Sequence, residues 1–179
     1  MIAEADLRIL ISGRWLVPLM AHVGAAGGSR FAVMLASLGL SRSALAASLA
    51  TLQGAGWLRR NPGHGHPLRP EYILTTAGEP VAAFCMKLMA ERARLGLEPG
   101  QLPRWSLPLV ARLGHDRARF SALRNALQPV TPRALSLTLK QMIATELVDR
   151  NRITSSPKKI LREAKHFRLR AFRFFINKN

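Results

Sequence analysis

A chain of 179 residues, 48% of them apolar and 6% aromatic, can bury the core of one or two compact domains and leans towards helix over sheet. Its single cysteine, Cys85, excludes an internal disulfide and a cysteine-built zinc site, and fits a reducing cytosol. With 27 Lys and Arg against 10 Asp and Glu the net charge is +17, a field that draws polyanions such as DNA or RNA; a surface charged only for solubility is the plainer alternative.

Helical periodicity runs over residues 5–23, with Leu7, Leu10, Ile11, Trp15, Leu19 and Met20 on one broad face. Arg8, Arg14 and Pro18 interrupt it too often for a membrane span, and the layout of a cleavable signal is absent. Gly24 to Gly28 reads as a loop. Ser29 then caps a short helix through Ser37, the chain turns at Gly39, and Ser41 caps a further helix that turns Leu45, Leu49 and Leu52 inward. Gly54 and Gly56 end that helix. The period now changes. Trp57-Leu58-Arg59-Arg60 reads as a strand, Asn61 to Pro67 as a tip, and Glu71-Tyr72-Ile73-Leu74-Thr75 as the returning strand. A helix from about Thr76 to Leu95 carries Val81, Phe84, Leu88 and Met89 as a stripe, and Gly96, Pro99, Gly100 and Pro103 mark a linker.

Much of this returns about 90 residues later. Arg14-Trp15-Leu16-Val17-Pro18-Leu19 recurs as Arg104-Trp105-Ser106-Leu107-Pro108-Leu109, and Arg30-Phe31 as Arg119-Phe120 after a one-residue slip. Leu45, Leu49, Leu52, Leu58 and Arg60 reappear as Leu135, Leu139, Met142, Val148 and Arg150. Helices are expected at 105–114, 118–127 and 131–143, and Leu147 to Ile153 as a strand. No counterpart of the returning strand is visible. Residues 157–176 read instead as a basic amphipathic helix, with Ile160, Leu161, Ala164, Phe167, Ala171 and Phe174 on one side. The expected organisation is a first module with its linking helix at 1–96, a linker at 97–103, a second module with an incomplete wing at 104–154, and a basic tail at 155–179. That tail holds 8 basic residues against 1 acidic. A nucleic-acid arm, a membrane-surface helix and an altered chain end all remain open for it.

Three short helices followed by a hairpin with a basic tip is the order of a winged helix-turn-helix, so the expected class is mainly α with small β-hairpin wings, in tandem. Gly13-Arg14-Trp15, Arg30-Phe31, Leu40-Ser41, Gly56-Trp57-Leu58 and the run Arg69 to Gly78 resemble the HxlR-type winged-helix regulators. The second module resembles them through Arg104-Trp105, Arg119 to Leu123 and Val130-Thr131-Pro132-Arg133-Ala134-Leu135-Ser136. The cysteine that such relatives carry ahead of the first Gly-Arg-Trp is absent.

The resemblance implies a recognition helix in the major groove of double-stranded DNA and a regulator, more often a repressor. Independently, Thr131 with Pro132 starts a sharp helix whose outward amides suit a phosphate, and Arg133, Ser136, Thr138 and Lys140 are read as lying away from the Leu135 and Leu139 stripe. Where the second module offers Arg133, Ser136 and Thr138 the first has Ser43, Ala46 and Ser48, and its helix, poorer in charge, contributes Ser41, Arg42, Ser43 and Ser48 as candidates. Its wing contributes Arg60, His64, His66 and Arg69, and the second module's strand Arg152. These are the candidate DNA-binding residues. An ordinary solvated helix face is the alternative for each.

His64-Gly65-His66 lacks a third ligand nearby and reads as a flexible wing tip, so no metal is expected. Cys85, next to Phe84 in a helix, reads as a buried thiol before a redox sensor. No catalytic constellation and no cofactor motif stand out, so no enzymatic activity and no cofactor are expected. The expected location is cytoplasmic, on the nucleoid, without integral membrane association. A homodimer and an intramolecular pseudo-dimer both stay open. Two rival functions do as well: a non-specific or architectural nucleic-acid-binding protein, and a protein-interaction module in which the alanine-rich first helix docks a partner.

Overall fold

The computed structural model describes residues 2–61, 71–97, 103–113, 118–153 and 164–169. The chain divides into two compact units, Met1–Glu98 and Pro99–Asn179. The first runs α1 (Glu4–Leu10), α2 (Leu16–Ala26), β1 (Ser29–Arg30), α3 (Phe31–Leu38), α4 (Arg42–Gly54), β2 (Leu58–Asn61), β3 (Glu71–Leu74) and α5 (Gly78–Arg94). The second runs α6 (Ser106–Leu113), β4 (Ala118–Arg119), α7 (Phe120–Ala126), α8 (Pro132–Ala144), β5 (Val148–Ile153) and β6 (Ala164–Leu169). From α2 to β3 and from α6 to β6 the order of elements is the same, and each unit is a winged helix: mainly helical, with a small antiparallel sheet.

The expected helix over 5–23 is two helices. Pro18 has no amide hydrogen to give the Arg14 carbonyl, so one helix cannot run through both. It sits instead in the first turn of α2, where no amide hydrogen is needed, and the chain turns at Ser12 and Gly13. The loop expected at Gly24 is helical too, because α2 continues to Ala26 and stops at Gly27, whose φ of 68° is left-handed. Gly24 itself lets α5 come close: a Cβ there would lie 2.9 Å from the Ala82 Cβ and 3.1 Å from the Met86 sulfur. Ser29 does not cap α3. It opens the two-residue strand β1, and its hydroxyl lies 3.1 Å from His22 Nε2 on α2.

In the first sheet the order is β1-β3-β2, with Ser29 opposite Tyr72 and Leu58 opposite Leu74. The second sheet repeats it as β4-β6-β5, with Ala118 opposite Phe167 and Val148 opposite Leu169. The incomplete second wing is therefore corrected. Residues 164–169 form its returning strand, and the helix expected over 157–176 does not include them. Pairing on both sides satisfies their backbone groups through partners far away in the chain, a gain that local apolar spacing does not register.

Each unit has its own buried centre. In the first, Leu19, Met20, Met34, Leu45, Leu49, Leu52 and Trp57 pack with Val81, Ala82 and Cys85 of α5, which lies along α2. Phe84 and Met89 pack partly buried against that core, and Leu88 is itself buried. In the second, Leu109, Leu113, Leu123, Leu135, Leu139, Met142 and Leu147 are buried. No single helix among the described residues is long and apolar enough to cross a membrane.

Candidate nucleic-acid interface

The axes of α3 and α4 are bent by 117° across the short turn at Gly39, whose left-handed φ of 60° lets the chain reverse without a side chain in the way. Ser41 then starts α4: its Oγ accepts from the Ala44 amide at 3.2 Å and also meets the Ser43 hydroxyl at 3.2 Å. In the second unit Thr131 starts α8 in the same way, its Oγ1 accepting from the Ala134 amide at 3.2 Å, with Pro132 as the first helical residue.

The far ends match as well. The Trp57 amide bonds to the Leu52 carbonyl and the Gly56 amide to that of Gln53, the paired closure of a helix that stops on a left-handed residue. The Leu147 amide bonds to Met142 and the Glu146 amide to Ile143 in the same pattern. Gly56 has φ 74°, whereas its counterpart Glu146 holds φ 56° with a side chain attached.

Helices so framed expose the same positions. On α4 these are Arg42, Ser43, Ala46, Ala47, Ala50 and Thr51; on α8 they are Pro132, Arg133, Ser136, Leu137, Lys140 and Gln141. Ser41 and Thr131 are exposed at the caps. Two of the candidate residues belong on the opposite face. Ser48 and Thr138 are buried at 9% and 2% exposure, and each donates its hydroxyl to the carbonyl four residues back, Ala44 at 2.7 Å and Ala134 at 2.9 Å. The reason is helical geometry: Leu135, Thr138, Leu139 and Met142 fall at i, i+3, i+4 and i+7, so Thr138 shares the inward stripe. The same holds for Leu45, Ser48, Leu49 and Leu52. A hydroxyl can sit in that stripe because the helix's own carbonyl satisfies it.

The wing of the first unit is anchored by Thr75. Its amide donates to the Trp57 carbonyl at 3.0 Å and its hydroxyl to the Gly56 carbonyl at 2.6 Å, while the hydroxyl accepts from the Gly78 amide at 3.1 Å. One residue thus joins the end of α4, the wing and the start of α5. Gly78 is buried at that joint, and a Cβ there would land on the Trp57 carbonyl. Arg59 and Arg60 are exposed on β2, with Arg60 opposite Tyr72 in the ladder. Arg30 reaches Glu71 at 3.1 Å and ties β1 to the start of β3. His64, His66 and Arg69 lie outside the described residues. Arg150 is exposed on β5, and Arg152 stands opposite Lys165 in the second ladder.

Cys85 is buried on the inner face of α5, and that burial pushes its thiol up to about 12. A thiol held neutral there is a packing group and a poor nucleophile. Among the described residues no three of His, Cys, Asp and Glu gather as a metal site would require.

The sequence reading omits Leu137, which is 57% exposed in the middle of the outward face of α8. Its apolar letter suggests the core, but its spacing of four residues from Arg133 was the signal that places it outside.

A family model described as HxlR-like helix-turn-helix matches residues 10–96 and 102–164. Among solved structures the chain is similar to wild-type MarR in its apo form from E. coli, with 18% identity and a TM-score of 0.40 over 62% of this chain and 85% of that one. It is also similar to a mutant MarR from E. coli complexed with operator DNA, with 19% identity and a TM-score of 0.36 over 63% of this chain and 72% of that one. The search of curated proteins gave no match.

Proposed function

Because the chain belongs to the HxlR-like helix-turn-helix family of DNA-binding transcriptional regulators, we propose that it binds particular duplex sequences and represses transcription from them. The observation that carries this reading is the outward face of α8, where Arg133, Ser136 and Lys140 stand exposed on a helix with a hydroxyl-capped start. Pro132 has no amide hydrogen and that of Ala134 is taken by Thr131, which leaves the amide and guanidinium of Arg133 to meet a phosphate or a guanine edge. Ser136 and Lys140 follow along the groove.

The first unit plays a different part. Its α4 offers Ser41, Arg42 and Ser43 near the cap, then the methyls of Ala46, Ala47 and Ala50 with Thr51 beyond them, so it contacts backbone more than bases. Arg60 adds a phosphate contact from the wing, joined by His64, His66 and Arg69 at the tip and by Arg152 on β5. Ser48 and Thr138 take no part. The net +17 charge strengthens association with any duplex, and the uneven pair of reading helices selects among them. The two units, each with its own helix-turn-helix, read two unequal half-sites, and a cytoplasmic location on the nucleoid follows from that role.

Selection from a random duplex library at near-physiological salt, with excess competitor DNA, tests this. A single enriched motif with unequal halves is expected. Binding without enrichment would replace sequence readout by charge-driven, architectural binding. No duplex binding, together with capture of a protein partner, would leave the interaction-module reading.

A further inference from the structure

Leu137 is more exposed than Val33 or Met86, the other large apolar side chains notably open to solvent among the described residues: 57% against 49% and 40%. It also occupies the least expected place for a leucine, the outward face of a helix, where its exposed neighbours Arg133, Ser136, Lys140 and Gln141 are polar or charged. Arg133, Leu137 and Gln141 follow one another at intervals of four residues and so form one row along α8, with Ser136 and Lys140 beside it. The inward side of α8 is complete without Leu137, being supplied by Leu135, Thr138, Leu139 and Met142. The corresponding position on α4 is Ala47, so the exposed leucine distinguishes the second helix from the first.

We propose that Leu137 is a specificity-determining residue of α8 that reads a thymine through its 5-methyl group. The proposal rests on the reading of α8 as the helix that enters the major groove. A leucine side chain offers no hydrogen bond, so it gains nothing from the oxygens and nitrogens on base edges. Among the edges of unmodified bases in that groove, the thymine methyl is the apolar group. Arg133, four residues towards the start of the helix, sets the register through a phosphate or guanine contact, and Leu137 then rests on a base within the same half-site. A cytosine at that position would bring its amino group against the leucine and leave it without a partner. The α8 half-site therefore contains a thymine whose identity is enforced by one methyl group, and the α4 half-site, faced by Ala47, has a weaker preference at the matching position.

The test starts from the motif enriched by the full chain and replaces each thymine of the α8 half-site, one at a time, with uracil. That exchange removes the methyl and keeps every hydrogen-bonding group. One replacement should weaken wild-type binding about three- to fivefold, as expected for losing one buried methyl. The same replacement should leave Leu137→Ala unchanged, and Leu137→Met should keep the sensitivity. Restoring a methyl with 5-methylcytosine in place of cytosine at that position should recover part of the affinity. An enriched motif with no uracil-sensitive thymine, or equal sensitivity in Leu137→Ala, overturns the role of Leu137 and leaves sequence-specific binding standing. Absence of any enriched motif overturns both. Leu137 lies on the surface, so a circular dichroism melt should be the same for all three proteins.

Discussion

Arg133 is the second residue of α8 and Arg42 the first of α4; both are exposed, and they differ in what surrounds them. Around Arg133 stand Ser136, Leu137 and Lys140; around Arg42 stand Ser43 and the methyl groups of Ala46 and Ala47. Arg133→Ala should therefore cost specific binding about tenfold or more, the scale of one base contact, whereas Arg42→Ala should cost about two- to threefold across all sequences. Competition binding with specific and random duplexes measures both, and equal losses would remove the asymmetry. Thr138→Val and Ser48→Ala should change affinity less than about twofold, because neither hydroxyl faces the groove. A large drop in affinity from either, with the fold intact, would contradict their inward placement.

Cys85 makes a prediction about pH. Its folded value, raised by burial from 9.0 to about 12, means that the unfolded chain loses this proton first as pH rises. The stability it contributes is whole below about pH 9 and is lost progressively as pH climbs towards 12. Chemical denaturation at about pH 8 and about pH 10.5 should show a fall that is smaller in Cys85→Val. Iodoacetamide should label the thiol only as fast as the first unit opens.

At the scale of elements, two glycines separate conformational strain from steric collision. Gly56 closes α4 at φ 74° with nothing within 4 Å of an added Cβ, so Gly56→Ala should cost only the left-handed penalty, about 1 kcal/mol. Gly78 has an ordinary backbone but backs onto the Trp57 carbonyl, so Gly78→Ala must push apart the wing and the start of α5. Its cost should be about 3 kcal/mol or more. Urea denaturation of the two variants should order them clearly, and a smaller loss for Gly78→Ala would mean that the joint at Thr75 is looser than it looks.

Elements also show where sequence reading succeeds. Ser41 and Thr131 are legible as caps because a hydroxyl before a helix acts on an amide three residues away, entirely within a local window. The strands of the first wing are legible because Leu58 and the Tyr72 to Leu74 run sit between clear turn residues. By contrast β1 and β4 have two residues each, too few to show any alternation. Strand β6 reads Ala-Lys-His-Phe-Arg-Leu, and its apolar residues fall into step with helical spacing in the segment around it. What makes it a strand is the pair of neighbours it lies between. The inward hydroxyls of Ser48 and Thr138 were hidden for a related reason: polarity pointed outward, and only the angular position on the helix corrects it.

For the whole molecule, the placement of β6 decides what can be removed. Ending the chain at residue 154 takes away the middle strand of the second sheet, leaving β4 and β5 without their shared partner. Such a chain should lose the cooperative unfolding of its second unit and expose that unit to proteolysis, while the first unit melts as before. Ending it after Leu169 keeps every pairing of β6 and should preserve both transitions. Scanning calorimetry of the two truncated chains checks this, and an unaltered second transition in the shorter one would show that β6 is dispensable.

Both sheets place the strand that comes last in sequence at the centre. Ser29 must wait for Tyr72, and Ala118 for Phe167, before either short edge strand has anything to pair with. The helices between them need only contacts along a short stretch of chain, while closing the sheet needs a long loop to be drawn in first. Assembly is thus expected in sequence: α4 and α8 should take shape early, and the wing beside each should be completed last and open first. In a regulator built this way, the exposed face of each such helix should outlast the strands beside it when a unit opens transiently.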